Sequence, residues 1–253
     1  MIIDLNCDMG ESFGSLKLGF DEEVIKFITS ANIACGFHSG DPLWMEKTIT
    51  LANKFNVSIG AHPSFPDLVG FGRRKMELSK EELKTALVYQ VGALKGFLTT
   101  EKLQHIKPHG ALYNMAVNDK EIASNITSVI KNYYPETILV CLSQSKWAEI
   151  AKEENIKVAE EVFADRQYND DGSLVSRKEP EAVITNEEFI LERTVKMIKE
   201  KKITSLQGNT IKINPDTVCL HGDTPGAVTL SKTLRYEMER SNITILPLKE
   251  FIN

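Results

Sequence analysis

Four of the five histidines in this 253-residue chain stand directly after short apolar runs of the kind that form buried strands. Histidine titrates near neutral pH and binds divalent metals through its ring nitrogens. A group of histidines at one end of a sheet would therefore suit either proton transfer or metal binding. The four residues are His38, His62, His109 and His221.

Carboxylates stand in the same segments. Asp8 and Glu11 follow the first apolar run, and Asp41 and Asp223 each follow one of the histidines. A carboxylate can orient or activate a histidine in acid–base catalysis, or it can supply an oxygen ligand to a metal. The chain has no HExxH motif, and ligands spread over separate strands leave no spacing signature. The residues alone therefore leave both chemistries open.

Positive side chains in these segments point to an anionic substrate, because lysine and arginine stabilise negative charge in a dry pocket. Arg74 is one such candidate. The residues expected at the catalytic centre are Asp8, Glu11, His38, His62, Lys107, His109, His221 and Asp223. The residues expected to bind substrate are Asn6, Asp41, Arg73 and Arg166. A divalent metal would be held by His38, His62 and Asp8.

The elements that must position these residues alternate along the chain between apolar strands and helix-periodic segments. We predict strands at residues 2–7, 31–35, 57–61, 105–107, 137–141, 157–163, 217–220 and 243–246. We predict helices at residues 22–29, 42–55, 120–132, 145–153, 187–201 and 227–240, and a long helix capped by Ser79. Residues 165–184 are polar and predict a hairpin or an irregular excursion.

This alternation predicts an α/β fold in which helices cover a parallel sheet. An open doubly wound sheet and a closed barrel both fit the pattern. Both folds bind ligands at the carboxyl ends of their strands, which is where the histidine segments begin.

Composition excludes several functional classes. The net charge is −5, and no basic cluster with interleaved aromatic residues indicates nucleic-acid binding. No apolar run approaches the roughly 20 residues of a membrane helix. Asp4 interrupts the N-terminal run too early for a signal peptide. Four scattered cysteines without CxxC spacing predict free thiols and a cytoplasmic location.

Common nucleotide and nucleophile motifs are also missing from the sequence. There is no GxxxxGK[ST] phosphate loop, no GxGxxG turn and no GxSxG elbow. A classical nucleotide-binding fold and a serine nucleophile are therefore not expected.

Seven motifs in the chain resemble the LamB/YcsF family. They are DLNCDMGE at 4–11, SANIACGFH at 30–38, GAHPS at 60–64, GFGRR at 70–74, KPHGALY at 107–113, FADR at 163–166 and HGDTPG at 221–226. The motifs span essentially the whole chain in the family's order. Departures are small: Ser39 stands where alanine is expected, Phe65 where tyrosine is frequent, and Glu181 where glycine usually follows Pro180.

The resemblance implies a single-domain, seven-stranded (β/α) barrel-like fold over residues 1–253, similar to glycoside hydrolase and deacetylase barrels. It also implies ATP-dependent hydrolysis of 5-oxo-L-proline to L-glutamate, with ATP as co-substrate and with 5-oxoprolinase subunits B and C as partners. The sequence leaves open whether ATP binds to this chain or to those partners.

Two other interpretations use the same residues differently. A stand-alone metal-dependent amide hydrolase or deacetylase would need the histidines but neither ATP nor partners. A non-catalytic regulatory or binding component would keep the fold without needing so many polar groups at strand ends.

Overall fold

Seven parallel strands close into a barrel in the computed structural model, which describes residues 1–99, 102–222 and 226–252. The strands in chain order are β1 Ile2–Met9, β2 Ser30–Ala34, β3 Ser58–His62, β4 His105–Ile106, β5 Ile138–Leu142, β6 Val158–Phe163, β7 Lys202–Thr204, β8 Thr210–Lys212, β9 Thr217–His221 and β10 Thr244–Ile245. The barrel runs from β1 to β6 and then to β9, which pairs with β1 and closes it. The seven-stranded barrel expected from the sequence is confirmed, and the open sheet is excluded.

Helices surround the barrel on the outside. They are α1 Asp21–Val24, α2 Pro42–Lys54, α3 Lys80–Gly96, α4 Gly110–Asn118, α5 Lys120–Tyr133, α6 Lys146–Glu153, α7 Glu187–Glu200 and α8 Ala227–Arg240. Short 3-10 turns lie at Ile25–Phe27 and Leu248–Glu250. The side chain of Ser79 caps α3 in a reciprocal capping box with Glu82, as the sequence predicts. No helix among the described residues is both long enough and apolar enough to span a bilayer.

Four elements differ from the prediction. The first helix is a single turn because the chain is already extended at Ile28, just before β2 begins. Helix α4 was not predicted, since a proline and a glycine at its start resemble a loop. The hairpin of β7 and β8 was also missed. Strand β10 lies outside the barrel and pairs with the first residues of β1.

Side chains alternate along β1 between two environments. Ile3, Leu5 and Cys7 point outward into the apolar layer between strands and helices, whereas Asp4 and Asn6 join a polar network inside the barrel. All four cysteines of the chain are buried and free. The barrel interior is therefore polar, and the apolar core surrounds it.

Residues 165–184 form the irregular excursion, with isolated bridges but no regular strand. Two arginines fasten it to the barrel. Arg166 donates to the carbonyl oxygens of Val175 and Ala182, at 2.5 and 3.2 Å. Arg193 of α7 donates to backbone carbonyls at the end of β6, including that of Ala164 at 2.8 Å. These contacts hold the excursion over one side of the barrel mouth.

A glycine makes room for a buried ring inside the barrel. A Cβ placed on Gly60 would lie 2.0 Å from Nε2 of His105, whose ring nitrogen is hydrogen bonded to Oδ1 of Asn32 at 2.6 Å. His105 is completely buried, and burial lowers its pKa to about 3, so the ring is neutral.

We predict that Gly60→Ala lowers the free energy of unfolding by about 1–3 kcal/mol, because the new methyl group overpacks the barrel interior. Gly92→Ala in α3 is the matched control, since no atom lies within 4 Å of its added Cβ. Urea denaturation of both variants measures the difference. Equal stability of Gly60→Ala and the wild-type protein would contradict this packing.

Candidate active site

The polar segments that follow the strands meet at the carboxyl end of the barrel. Asp8 of β1 lies beside His221 of β9 in the strand register, and His62 ends β3. His38 and His109 reach the same place from the loops after β2 and β4. The structure thus brings together all four histidines that the sequence singled out.

Three of these histidines and one carboxylate form the histidine cluster: Glu11, His38, His62 and His109. Oε1 of Glu11 lies 3.3 Å from Nε2 of His38 and 3.8 Å from Nδ1 of His109. The rings of His38 and His109 stack with their centroids 3.8 Å apart. All four residues are buried.

Hydrogen bonds to backbone carbonyls decide which ring nitrogens carry protons. Nδ1 of His62 lies 2.6 Å from the carbonyl oxygen of Lys107, and Nε2 of His109 lies 2.9 Å from that of Phe71. A carbonyl only accepts, so both nitrogens must donate. The remaining nitrogens, Nε2 of His62 and Nδ1 of His109, face each other at 2.9 Å. Two neutral rings would oppose their lone pairs there, so a proton or a metal cation must lie between them.

The surroundings favour such a positive charge. Oδ2 of Asp8 lies 3.3 Å from Nε2 of His62. Burial would raise the pKa of Asp8, but His62 and Lys107 outweigh it and hold that pKa well below its usual range. Burial and the neighbouring histidines lower the pKa values of His38 and His109, which keeps their lone pairs free to bind a cation. An ionised Asp8 next to neutral rings is a suitable environment for a cation.

The donor set of the histidine cluster fits a divalent metal ion. One ligand atom from each of its four residues lies within 4.8 Å of the others. Metal-binding histidines usually donate their second ring N–H to a carbonyl or a carboxylate, as His62 and His109 do. This set includes His38 and His62, as expected, but adds Glu11 and His109. Asp8 belongs to a second group with Cys219 and His221.

Lys107 lies behind Asp8, inside the barrel. Its Nζ atom is 2.8 Å from Oε1 of Glu161, 3.0 Å from Oδ1 of Asp8, 3.0 Å from Sγ of Cys219 and 3.2 Å from Oδ1 of Asn6. Burial would lower the pKa of Lys107, but Asp8, Cys219 and Glu161 outweigh it and hold that pKa well above its usual range. The ammonium group is thus enclosed by protein partners, which positions Asp8 and leaves little room for a substrate anion.

His221 lies on the other side of Asp8. Its Nδ1 atom donates to Asp165, 2.8 Å from Oδ2, and its Nε2 atom accepts from Nη2 of Arg177 at 2.8 Å. Sequence reasoning missed Asp165 and Arg177 as site residues, and it missed Glu161 inside the barrel. The signals were present, because Asp165 lies within a quoted motif and Glu161 is an acid inside an apolar strand.

The residues expected to bind substrate have other contacts. Asn6 is buried and donates to Glu161 and Thr217. Asp41 caps α2 through the N–H groups of residues 43 and 44. Arg166 is occupied by the carbonyls of the excursion. None of these three meets the histidine cluster through a contact between described residues.

Two arginines lie in the glycine-rich loop after β3. The guanidinium of Arg73 lies over the ring of Phe71, 4.9 Å from its centroid, and Arg74 forms an ion pair with Asp67. Asp223, expected at the catalytic centre, lies outside the described residues.

This same loop covers the histidine cluster. Gly72 has a φ of +65°, and an added Cβ would lie 2.8 Å from atoms of both His38 and His109. The side chains of His38 and His62 are at most 1% exposed, whereas Asp8 keeps 12% and His221 keeps 11%. A substrate therefore reaches the site at the edge formed by Asp8 and His221.

Comparison with known proteins agrees with this architecture. The model of the LamB/YcsF family matches residues 3–253. The chain belongs to the LamB/YcsF family. A relative from Thermococcus sibiricus, named as the A subunit of 5-oxoprolinase, is 53% identical over 254 residues, and the alignment covers 100% of both chains. A protein of the same name from Clostridium beijerinckii is 53% identical over 248 residues, 97% of each chain.

Two solved structures are similar to this LamB/YcsF member. The lactam utilization protein from Thermus thermophilus has a TM-score of 0.91 at 40% identity, covering 97% of this chain and 99% of that one. A mutant CE4 family pseudoenzyme with restored enzymatic activity has a TM-score of 0.52 at 11% identity, covering 100% of this chain and 67% of that one. The second likeness concerns the fold alone.

We predict that Lys107→Met destabilises the protein by about 3–5 kcal/mol, because it leaves buried carboxylates without a counter-charge. Glu161→Gln in the same chain should recover part of that loss, giving a coupling energy of about 0.5–3 kcal/mol in a double-mutant cycle. Lys232→Met on exposed α8 is the control and should change stability by less than about 0.5 kcal/mol. Strictly additive effects at Lys107 and Glu161, measured by denaturant unfolding, would contradict the ion network.

Proposed function

We propose that this chain is the A subunit of a 5-oxoprolinase, which with partner subunits B and C hydrolyses 5-oxo-L-proline to L-glutamate in an ATP-dependent reaction. The observation that carries the proposal is the 53% identity, over the full length, to relatives that bear this name. The letter in that name implies further subunits. A buried site of histidines and carboxylates at the barrel mouth supports a hydrolytic role for this chain.

The chemistry explains why such a site is needed. A five-membered lactam is an unstrained amide, so water attacks its carbonyl carbon slowly. Phosphoryl transfer from ATP to the lactam oxygen would make that carbon more electrophilic. Water must still lose a proton as it attacks, and the ring nitrogen must gain one as the carbon–nitrogen bond breaks. The proposed site has groups for both proton transfers.

We assign the two proton transfers to the two sides of Asp8. On one side, Asp8 and Glu11 with the histidine cluster accept the proton from water. On the other side, Asp165 stabilises the protonated ring of His221, which gives a proton to the leaving nitrogen. Lys107 acts as a positioning residue that keeps Asp8 ionised and in place.

A second candidate function is a stand-alone metal-dependent amide hydrolase or deacetylase. The observation that favours it is the donor set of Glu11, His38, His62 and His109, which fits a divalent metal. A bound metal would polarise the lactam oxygen and lower the pKa of a nearby water. The two functions differ in their need for ATP and for partners.

One assay separates these functions. Glutamate formation from 5-oxo-L-proline is measured with this chain alone, with subunits B and C alone, and with all three, each with and without ATP. The proposal expects glutamate only in the complete mixture with ATP. Activity of this chain alone without ATP would favour the second function instead.

We predict that His38→Ala and His62→Ala each reduce glutamate formation by the complete mixture at least about a hundredfold, the usual effect of losing a general acid or base. Circular dichroism should show that both variants keep the barrel. Lys232→Met serves as the control with normal turnover. Near-normal turnover in both histidine variants would refute the site.

We predict that the purified chain, dialysed against Zn²⁺ or Mn²⁺ and then against buffer, retains about one metal ion per chain. His62→Ala and His109→Ala should lose that ion, and His221→Ala should keep it, since His221 lies outside the histidine cluster. Elemental analysis by mass spectrometry measures the content. A wild-type chain that retains no metal would leave a shared proton as the charge between the two rings.

A further inference from the structure

Arg177 extends from the excursion over the barrel mouth and carries an exposed positive charge next to the site. Its Nη2 atom lies 2.8 Å from Nε2 of His221. Among residues 1–99, 102–222 and 226–252, no carboxylate lies within ion-pair distance of its guanidinium. A guanidinium that meets only a ring nitrogen keeps most of its five N–H donors available for an anion.

The backbone that carries Arg177 is held in place. Val175, two residues earlier, is buried, and its carbonyl oxygen accepts from Arg166 at 2.5 Å. Ala182, on the returning segment, accepts from the same guanidinium. The position of Arg177 is therefore set before any ligand binds, which reduces the entropy cost of holding one.

Four groups stand in series across the mouth. Nε2 of His62 lies 3.3 Å from Asp8, and Asp8 offers an oxygen within 4.8 Å of a ring nitrogen of His221. His221 in turn contacts Arg177. The order from the centre outward is thus water-activating group, proton donor, positive charge.

The proposed substrate has the same order of chemical features. In 5-oxo-L-proline the reacting carbonyl carbon is bonded to the ring nitrogen, and the next ring atom bears the carboxylate. With the carbonyl carbon near Asp8 and the ring nitrogen near His221, the carboxylate falls on the side of Arg177.

We propose that Arg177 binds the carboxylate of 5-oxo-L-proline and thereby selects this lactam over lactams without a carboxylate. The inference rests on the proposed function. A guanidinium matches a carboxylate with two parallel hydrogen bonds, which fix orientation as well as charge. Engaging the carboxylate also draws Arg177 away from Nε2 of His221, so that this nitrogen faces the ring nitrogen of the substrate.

Other cations of the site are less suited to this role. Lys107 and Arg166 are buried with protein partners. Arg74 forms an ion pair with Asp67, and Arg73 lies over the ring of Phe71 in the loop on the far side of the histidine cluster. Arg177 alone among these contacts His221.

Isothermal titration calorimetry on the full chain tests the proposal with two ligands, 5-oxo-L-proline and 2-pyrrolidinone, which is the same ring without the carboxylate. The proteins are the wild type, Arg177→Gln, Arg177→Lys and the control Lys178→Gln, which removes a neighbouring exposed charge. Thermal unfolding of each variant checks that the fold is kept.

We predict that Arg177→Gln weakens 5-oxo-L-proline binding about tenfold to a hundredfold, the effect of losing a charge-assisted hydrogen bond. Arg177→Lys should recover part of the affinity, and Lys178→Gln should match the wild type. Binding of 2-pyrrolidinone should be equal in all four proteins. Unchanged 5-oxo-L-proline binding in Arg177→Gln, a parallel loss for both ligands, or a wild-type chain that fails to prefer 5-oxo-L-proline would each overturn the inference.

This test is separate from that of the proposed function. If Arg177→Gln raises the KM for 5-oxo-L-proline in the complete mixture and leaves kcat nearly unchanged, Arg177 acts in binding as proposed. If kcat falls with KM unchanged, the inference fails while the proposed function stands. An inactive wild-type mixture would refute the proposed function itself, whatever the binding data.

Discussion

The ammonium group of Lys107, buried inside the barrel, is the constraint on which the site depends. Removing an ammonium ion from water costs several kcal/mol unless opposite charges and hydrogen-bond acceptors replace the water. The barrel supplies them from β1, β6 and β9 as Asp8, Glu161 and Cys219. The strands must keep their register for these atoms to meet, so the closure of the barrel and the charge balance of its interior depend on each other.

That charge balance extends outward to the mouth. Asp8 uses one oxygen for Lys107 and turns the other towards His62. His62 is fixed from behind by the carbonyl oxygen of Lys107, and its free nitrogen faces His109. The resulting pair of opposed nitrogens needs a proton or a metal between it. Acid–base and metal chemistry, which the sequence left as alternatives, are thus two ways of meeting one geometric requirement.

Much of the fold and part of the site could be predicted from the sequence, because the decisive signals are local. Apolar runs marked the barrel strands, and the resemblance of the motifs distinguished a barrel from an open sheet. The convergence of His38, His62 and His109 followed from the rule that ligands bind at the carboxyl ends of parallel strands.

What the sequence did not reveal depends on contacts between distant segments. Glu161 reads as part of a buried strand until Lys107 is found opposite it. Arg166 resembles a substrate ligand in its motif, yet it holds the backbone of the excursion. Arg177 has no motif of its own, and its place beside His221 is visible only in three dimensions.

The most direct test of the account is to measure ADP and glutamate in the same reaction of the complete three-subunit mixture, with Asp8→Asn in this chain. The amide keeps the size of the side chain but cannot accept a proton from water. The account predicts that glutamate formation falls at least about a hundredfold. Glutamate formation at the wild-type rate would contradict it.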